Sequence, residues 1–141
     1  MDFPIGELSR RTQVKVPTIR YYERIGLLPP PPRTEGQQRR YDKSALARLA
    51  FIRHARELGF DLDAIRTLLS LQDSPDQSCA AADRIAKDRL AEVESRIAAL
   101  DALRTELRRM IDECASGRVA ECRVIETLAD DSHSHGRLAE T

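Results

Sequence analysis

The chain has 141 residues, with 23 basic residues (Lys and Arg) balancing 23 acidic ones (Asp and Glu). This length suits one small domain with an oligomerisation arm, and no apolar run is long enough to cross a bilayer. The start lacks a signal-peptide pattern, so we expect a cytoplasmic protein, in which structural disulfides are rare. Its three cysteines are therefore interpreted as metal ligands or redox thiols.

The charges are unevenly distributed along the chain. Residues 1–60 carry 12 basic residues against 6 acidic ones, a net charge of +6, and residues 61–141 carry 11 against 17, a net charge of −6. A basic front half favours a polyanionic partner, and the acidic rear half argues against a second nucleic-acid surface. The sequence contains no nucleophile–base pair and no phosphate-binding glycine loop, so no enzymatic activity is predicted.

Two short helices open the chain. The first is predicted over residues 5–12 with Gly6 as its N-cap, and the second begins at Pro17 and ends at Gly26. Helix, short turn and helix form the helix-turn-helix pattern, although a generic helical hairpin would look similar. The second helix begins with side chains that suit phosphates and base edges in a major groove, namely Lys15, Thr18, Arg20, Tyr21 and Tyr22.

A proline-rich segment follows and is predicted to form a small wing. Four consecutive prolines, residues 29–32, exclude helix, and residues 35–36 indicate a turn before a short returning strand. The predicted phosphate contacts of this wing are Arg33, Arg39, Arg40 and Tyr41; the alternative is an ordinary solvated loop. Two further helices follow, the first capped by Asp42 or Ser44 and ended by Gly59, the second capped by Asp61.

A long helix is predicted between Cys79 and Cys114, a stretch without Gly or Pro. Its apolar residues recur in steps of mostly four and three, the pattern of a coiled-coil seam: Ala86, Leu90, Val93, Ile97, Leu100, Leu103, Leu107 and Met110. The helix would be about 50 Å long, too long for so small a chain to bury its stripe. We therefore predict pairing with a second copy, in preference to a solvated linker helix. In an antiparallel pair, Cys79 of one chain would meet Cys114 of the other.

The cysteines suggest a thiolate site shared between two chains. Cys114 and Cys122 flank Gly117, and Cys79 of the partner chain would add a third sulfur, a donor set that selects thiophilic ions. His133 and His135 in the tail could supply a fourth ligand or a second, weaker site, unless the tail is simply disordered. Cys79 could also be a buried small hydrophobic residue.

Three stretches of this sequence resemble the MerR family of transcription regulators: residues 18–33 (TIRYYERIGLLPPPPR), the wing end RRY at 39–41, and residues 48–69 (RLAFIRHARELGFDLDAIRTLL). The resemblance implies a mostly α chain: a winged helix-turn-helix DNA-binding domain (1–72), a connector and antiparallel dimerisation coiled-coil helix (73–114), and a metal-binding loop with a short helix and His-containing tail (115–141). It also implies a homodimer that acts with RNA polymerase at promoters with an overlong spacer. Gln38 departs from the family, since many relatives carry an aromatic residue there.

The family resemblance also bears on the metal. Its copper, silver and gold sensors share the Cys-x7-Cys loop but generally have serine at the position of Cys79, whereas its divalent sensors have cysteine there. Cys79 thus implies a divalent ion, and three thiolates favour Cd(II) or Pb(II) over Zn(II), which prefers four-coordinate sites; Hg(II) is also possible. The predicted function is a regulator that represses without metal and activates with it. The alternatives are a Cu(I)/Ag(I) sensor, a thiol-redox regulator on the same DNA module, and a cytosolic metal buffer.

Overall fold

The computed structural model of the chain describes residues 2–31, 40–113 and 117–130. Within these ranges the protein is mostly helical, as predicted, and contains no β-sheet. The helices are α1 (Ile5–Thr12), α2 (Val16–Arg24), α3 (Lys43–Glu57), α4 (Leu62–Gln72), α5 (Ala80–Asp112) and α6 (Arg123–Ala129), with a 3₁₀ turn at Val119–Glu121. The returning strand predicted for the wing falls largely on residues 32–39, which lie outside the described ranges.

The chain divides into two compact units, Met1–Ala86 and Lys87–Thr141. In the first unit α1 packs against α2 and α3, and α3 packs against α4. Phe3 and Tyr41 form an antiparallel bridge with N···O distances of 2.7 and 2.8 Å, which adds both aromatic rings to the core. The buried apolar side chains of this unit are Phe3, Leu8, Val14, Ile19, Tyr22, Leu27, Leu28, Tyr41, Leu49, Ile52, Ala55, Ile65 and Leu69.

Glycine ends α2 and α3 in the same way. Gly26 and Gly59 adopt left-handed conformations, with φ of 82° and 86°, that other residues rarely adopt. The next amide then turns back: Leu27 N–H donates to the Tyr22 carbonyl at 3.0 Å, and Phe60 N–H donates to that of Ala55 at 3.1 Å. This is the Schellman arrangement, which satisfies carbonyls that a helix end leaves open. The predicted stops at both glycines are confirmed.

Two of the four helix starts predicted for this unit lie where the sequence places them, and α2 begins at Val16, one residue before the predicted start at Pro17. The carboxylates of Asp42 and Asp61 accept hydrogen bonds from the amides of Ala45 (3.0 Å) and Ala64 (2.7 Å), so both are N-caps as predicted. The prediction for Gly6 is wrong. The N-cap of α1 is Pro4, two residues earlier, and its extended backbone and carbonyl begin the helix without a side-chain cap.

Helix α5 is continuous over 33 residues, close to the predicted span. Five large apolar side chains on it are about half exposed or more in the single chain: Leu90, Ile97, Leu100, Leu107 and Ile111. Met110, which the sequence assigns to the same stripe, is instead buried. Met110 lies one turn before Glu113, which pairs with Arg123 of the returning chain. No helix in the described ranges is both long and apolar enough to span a membrane.

Candidate functional site

A tight turn holds α1 and α2 in a helix-turn-helix. Gln13 takes a left-handed conformation with φ of 59° at the end of α1, a conformation that is uncommon for residues other than glycine. Ser9 Oγ donates a hydrogen bond of 2.7 Å to the carbonyl of Val14 across the turn. Leu8 and Ile19 are completely buried beneath it. The angle between the two helices is therefore fixed by the turn and by the core together.

The far end of α2 is held by two arginines from other helices. Arg48 of α3 donates from Nε to the carbonyl of Leu27 at 2.9 Å, and Arg66 of α4 donates from Nη2 to the carbonyl of Ile25 at 2.9 Å. Hydrogen bonds from charged donors are stronger than neutral ones. Helix α2 is thus anchored at both ends, as a rigid recognition element requires.

The outer surface of α2 presents most of the side chains predicted to contact DNA. Lys15, Arg20 and Tyr21 are exposed, and Thr18 is half-buried. Arg24, which the sequence analysis missed, extends this surface. It is exposed, and its guanidinium lies 5.7 Å from the centre of the Tyr21 ring. Its spacing of four residues from Arg20 puts both on one face of the helix and could have revealed it.

The structure corrects the prediction for two tyrosines. Tyr22 is 8% exposed and Tyr41 is 1% exposed, so both rings belong to the core and are not offered to DNA. Tyr22 follows Ile19 by three residues and shares its inward face. Tyr41 is drawn inward by its bridge to Phe3, and its hydroxyl donates to Glu23 at 3.0 Å.

The remaining wing residues are only partly described. Arg40 is half-buried, and its Nη2 donates to the carbonyl of Asp2 at 3.4 Å. Arg33, Gln38 and Arg39 lie outside the described residues. Their predicted place along a phosphate backbone therefore stays a prediction.

Two of the three cysteines predicted to bind metal, Cys79 and Cys122, stand at helix starts. Cys79 is exposed and directly precedes α5, and its carbonyl accepts the amide of Asp83 at 2.9 Å. Ser78 Oγ accepts the amide of Ala80 at 3.1 Å, which satisfies another open donor of that helix. Cys122 is half-buried at the N-cap position of α6.

The third cysteine and the two tail histidines, Cys114, His133 and His135, lie outside the described residues. Among the residues that the structure does describe, no three His, Cys, Asp or Glu side chains come together as a metal site. The three-thiolate site is therefore still a prediction.

Comparison with known proteins identifies the family. The model for the MerR HTH family regulatory proteins matches residues 3–72, and the model described as MerR, DNA binding matches residues 46–110. The HTH-type transcriptional regulator ZntR of Escherichia coli K12 is 43% identical over 129 residues, which are 89% of this chain and 92% of the relative. The chain belongs to the MerR family. This confirms the resemblance seen in the sequence, and MerR-family membership makes α1 and α2 its DNA-binding helix-turn-helix.

Two solved structures of transcription regulators are similar to this chain over most of their length. The lead(II) complex of PbrR691 from Ralstonia metallidurans CH34 has a TM-score of 0.75 and 38% identity, covering 89% of this chain and 98% of that one. The mercury(II) complex of MerR from Bacillus megaterium MB1 has a TM-score of 0.69 and 31% identity, covering 91% and 100%. The similarity thus extends well beyond the helix-turn-helix.

Proposed function

We propose that this protein is a metal-responsive transcription regulator, a homodimer that represses its promoter without metal and activates it when a thiophilic divalent ion binds. The observation that carries this proposal is the exposed thiol of Cys79 directly before α5, at the end of the DNA-binding unit. Relatives that were solved with bound lead(II) and mercury(II) are 38% and 31% identical to the chain. Thiolates prefer ions of that kind.

The exposed stripe of α5 supports the dimer. Leu90 and Ile111, near its two ends, are 55% and 67% exposed in the single chain. A contiguous apolar patch of this length is rare on a soluble monomer and marks an interaction surface. An antiparallel coiled coil with a second copy would cover it, and the e and g positions would remain charged.

The proposed metal site is shared between the two chains. Cys79 of one chain would act with Cys114 and Cys122 of the other, and His133 or His135 would be the additional ligands. Three thiolates favour Cd(II) or Pb(II), with Zn(II) and Hg(II) as alternatives, since zinc is almost always four-coordinate in structural sites. This shared ligation would link the loop of one chain to the start of α5 in the other, next to the partner's DNA-binding unit.

Binding to the promoter is proposed to use α2 and the wing. Lys15, Thr18, Arg20 and Tyr21 would enter the major groove, joined by Arg24. Arg33, Arg39 and Arg40 would follow the phosphate backbone. Bending and untwisting an overlong spacer costs about 1–6 kcal/mol, supplied by the protein–DNA contacts, and would bring both promoter elements within reach of RNA polymerase. The inducing ion favours this state only if it binds the distorting conformation more tightly than the relaxed one.

The proposal is tested by measuring how strongly each metal induces a reporter gene under the control of the promoter. Replacing Cys79, Cys114 or Cys122 by Ser should abolish induction by Cd(II) and Pb(II), while binding of the promoter by the purified variants stays near the wild-type level. Ser116→Ala, a loop change that removes no thiol, should keep full induction. Full induction by both ions in the Cys79→Ser strain would exclude the three-thiolate site.

The spacing of the loop cysteines favours one second candidate. Two thiolates on a Cys-x7-Cys loop suit linear coordination of Cu(I) or Ag(I), so Cys79→Ser should shift the remaining response towards monovalent copper. A response of the wild-type protein to copper or silver alone would make this second candidate the function. A response to oxidants alone would instead identify a thiol-redox regulator.

A further inference from the structure

One arginine connects the end of the recognition helix α2 with the segment that leads into α5. Arg48 of α3 donates from Nε to the carbonyl of Leu27 at 2.9 Å, and its Nη1 lies 3.3 Å from Asp73 Oδ2. Leu27 directly follows Gly26, the glycine that ends α2, and Asp73 is the C-cap residue of α4. We call the arrangement of Leu27, Arg48 and Asp73 the Arg48 bridge.

The two contacts of the Arg48 bridge depend on each other, because they use two nitrogens of one planar group. The guanidinium group presents its donors in fixed directions, so its contact with Asp73 restricts how Nε meets the Leu27 carbonyl. The side chain of Arg48 is only 24% exposed, and Leu27 is buried. A displacement of Asp73 is therefore expected to change the hydrogen bond at the end of α2.

The α4–α5 segment, residues 73–79, is short and internally hydrogen-bonded. Five residues separate Asp73 from Cys79. The amide of Ser74 donates to the carbonyl of Leu71, and the amide of Gln77 donates to the carbonyl of Ser74, both at 3.0 Å. A segment of this kind passes on a displacement that a long flexible linker would absorb. The exposed thiol of Cys79 and the end of α2 are thus connected through few and defined contacts.

We propose that Arg48 and Asp73 are positioning residues that make the end of α2 depend on the conformation of the α4–α5 segment. This dependence is a property of the metal-free chain. Its use by an ion at Cys79 rests on the function proposed above. Because such coupling is reciprocal, DNA held by α2 also acts back on the α4–α5 segment.

The first test measures amide hydrogen exchange in the metal-free chain, in the presence of a chelator. The amides of Leu27 and Leu28 both donate to the carbonyl of Tyr22, at 3.0 and 3.2 Å, so their exchange rates report on the end of α2. Asp73→Ala should raise these rates by about two- to fivefold, the range expected for an exposed ion pair. Asp76→Ala, which removes the same charge from an exposed position of the same segment, should leave them unchanged.

DNA affinity provides a second readout, in which the direction of the change is decisive. Removal of a carboxylate reduces repulsion of the phosphates, and at Asp73 it also removes a negative charge from the C-terminal end of α4, where it is unfavourable. Both general effects predict equal or tighter binding. The Arg48 bridge predicts the opposite: Asp73→Ala should bind about two- to fivefold more weakly than Asp76→Ala. The probe is a duplex selected from random-sequence DNA by binding to the wild-type chain.

A double-mutant cycle shows whether the effect of Asp73 passes through Arg48. In an Arg48→Gln background the bridge is already broken, so Asp73→Ala should change neither the exchange rates nor the affinity. Arg48→Lys keeps the charge but lacks the guanidinium geometry, and it should preserve only part of the effect. Additive effects of the two changes, or wild-type exchange rates in Asp73→Ala, would overturn the proposal.

Titration of the wild-type chain with Cd(II) and Pb(II) on the same duplex distinguishes this inference from the proposed function. If neither ion altered the DNA complex while the double-mutant cycle stayed non-additive, the Arg48 bridge would stand and the metal function would fail. If both ions altered the complex while Asp73→Ala behaved like Asp76→Ala, the metal function would stand and the Arg48 bridge would be overturned.

Discussion

The hydroxyl group of Tyr41 donates a hydrogen bond of 3.0 Å to the carboxylate of Glu23 in the recognition helix α2. Tyr41 follows the proposed wing, and its backbone pairs with Phe3 near the start of the chain. One side chain thus connects the end of the wing, the chain start and α2. The position of α2 depends on this partly buried contact as well as on the turn before it.

Removing the hydroxyl group of Tyr41 should lower the stability of the DNA-binding unit without opening a cavity. Tyr41→Phe keeps the ring in the core but removes this donor to the Glu23 carboxylate, so the free energy of unfolding measured in urea should fall by about 1 kcal/mol. Tyr21→Phe is the matched control, because Tyr21 is largely exposed and should change stability by less than about 0.5 kcal/mol. Equal losses in both variants would argue against a specific role for the Tyr41–Glu23 contact.

Local signals predicted most of the fold. The glycines after α2 and α3 and the aspartates before α3 and α4 were identified from the sequence because caps act within four or five residues. The long α5 was equally clear, since it contains no helix-breaking residue. The resemblance to the MerR family then supplied an arrangement for these elements that periodicity alone does not give.

The errors have physical causes of longer range. Adjacent tyrosines at 21 and 22 look alike in the sequence, and only packing against Ile19 decides which one is buried. Tyr41 is buried through pairing with Phe3, 38 positions away, a contact that no local pattern reveals. The Glu113–Arg123 pair was also missed, because it crosses a loop and not a helix turn. Such contacts follow from the tertiary fold.

Exposed arginines on α2 should contribute to DNA affinity through phosphate contacts. Arg20→Ala and Arg24→Ala should each weaken binding to all sequences and reduce the slope of log K against log salt by about one unit, because one fewer counterion is released. The measurement is a salt titration of promoter binding by fluorescence anisotropy. Arg104→Ala, on α5, is the control and should leave the slope unchanged; wild-type slopes in both α2 variants would exclude this face as the recognition surface.

Arg66 should act on DNA binding in a different way. Its contact with the Ile25 carbonyl holds the end of α2, so Arg66→Ala should lower thermal stability and reduce the affinity for the specific promoter. Arg66→Lys, which keeps the charge but not the guanidinium geometry, should recover only part of the loss. If Arg66→Lys behaved like the wild type, the charge and not this hydrogen bond would be the relevant property.

Acid should remove the contribution of the α3 cap. Hydrogen bonds from Ser44 and from the Ala45 amide lower the pKa of Asp42 from its ordinary value of 3.8. A carboxyl group whose folded pKa is depressed stabilises the fold above its unfolded pKa and loses that effect as pH falls through the folded pKa. The free energy of unfolding of the wild type, measured in urea, should therefore fall below about pH 4. Asp42→Asn can still cap the helix through its side-chain oxygen but cannot titrate, so its stability should decline less steeply in that window.

A charge placed in the α5 stripe should dissociate the dimer. Ile97 is exposed in the single chain, and Ile97→Asp would bury a carboxylate in the proposed seam, where an unpaired charge is costly. Analytical ultracentrifugation should find a monomer for Ile97→Asp, whereas Ala102→Asp, a change at an exposed position away from the stripe, should remain dimeric.

Because Cys79 and the loop cysteines are proposed to act across two chains, the Ile97→Asp monomer should also lose tight Cd(II) binding in a competition assay. A stable monomer that still bound one ion tightly would exclude the shared site, and dissociation of both variants would exclude the assigned seam.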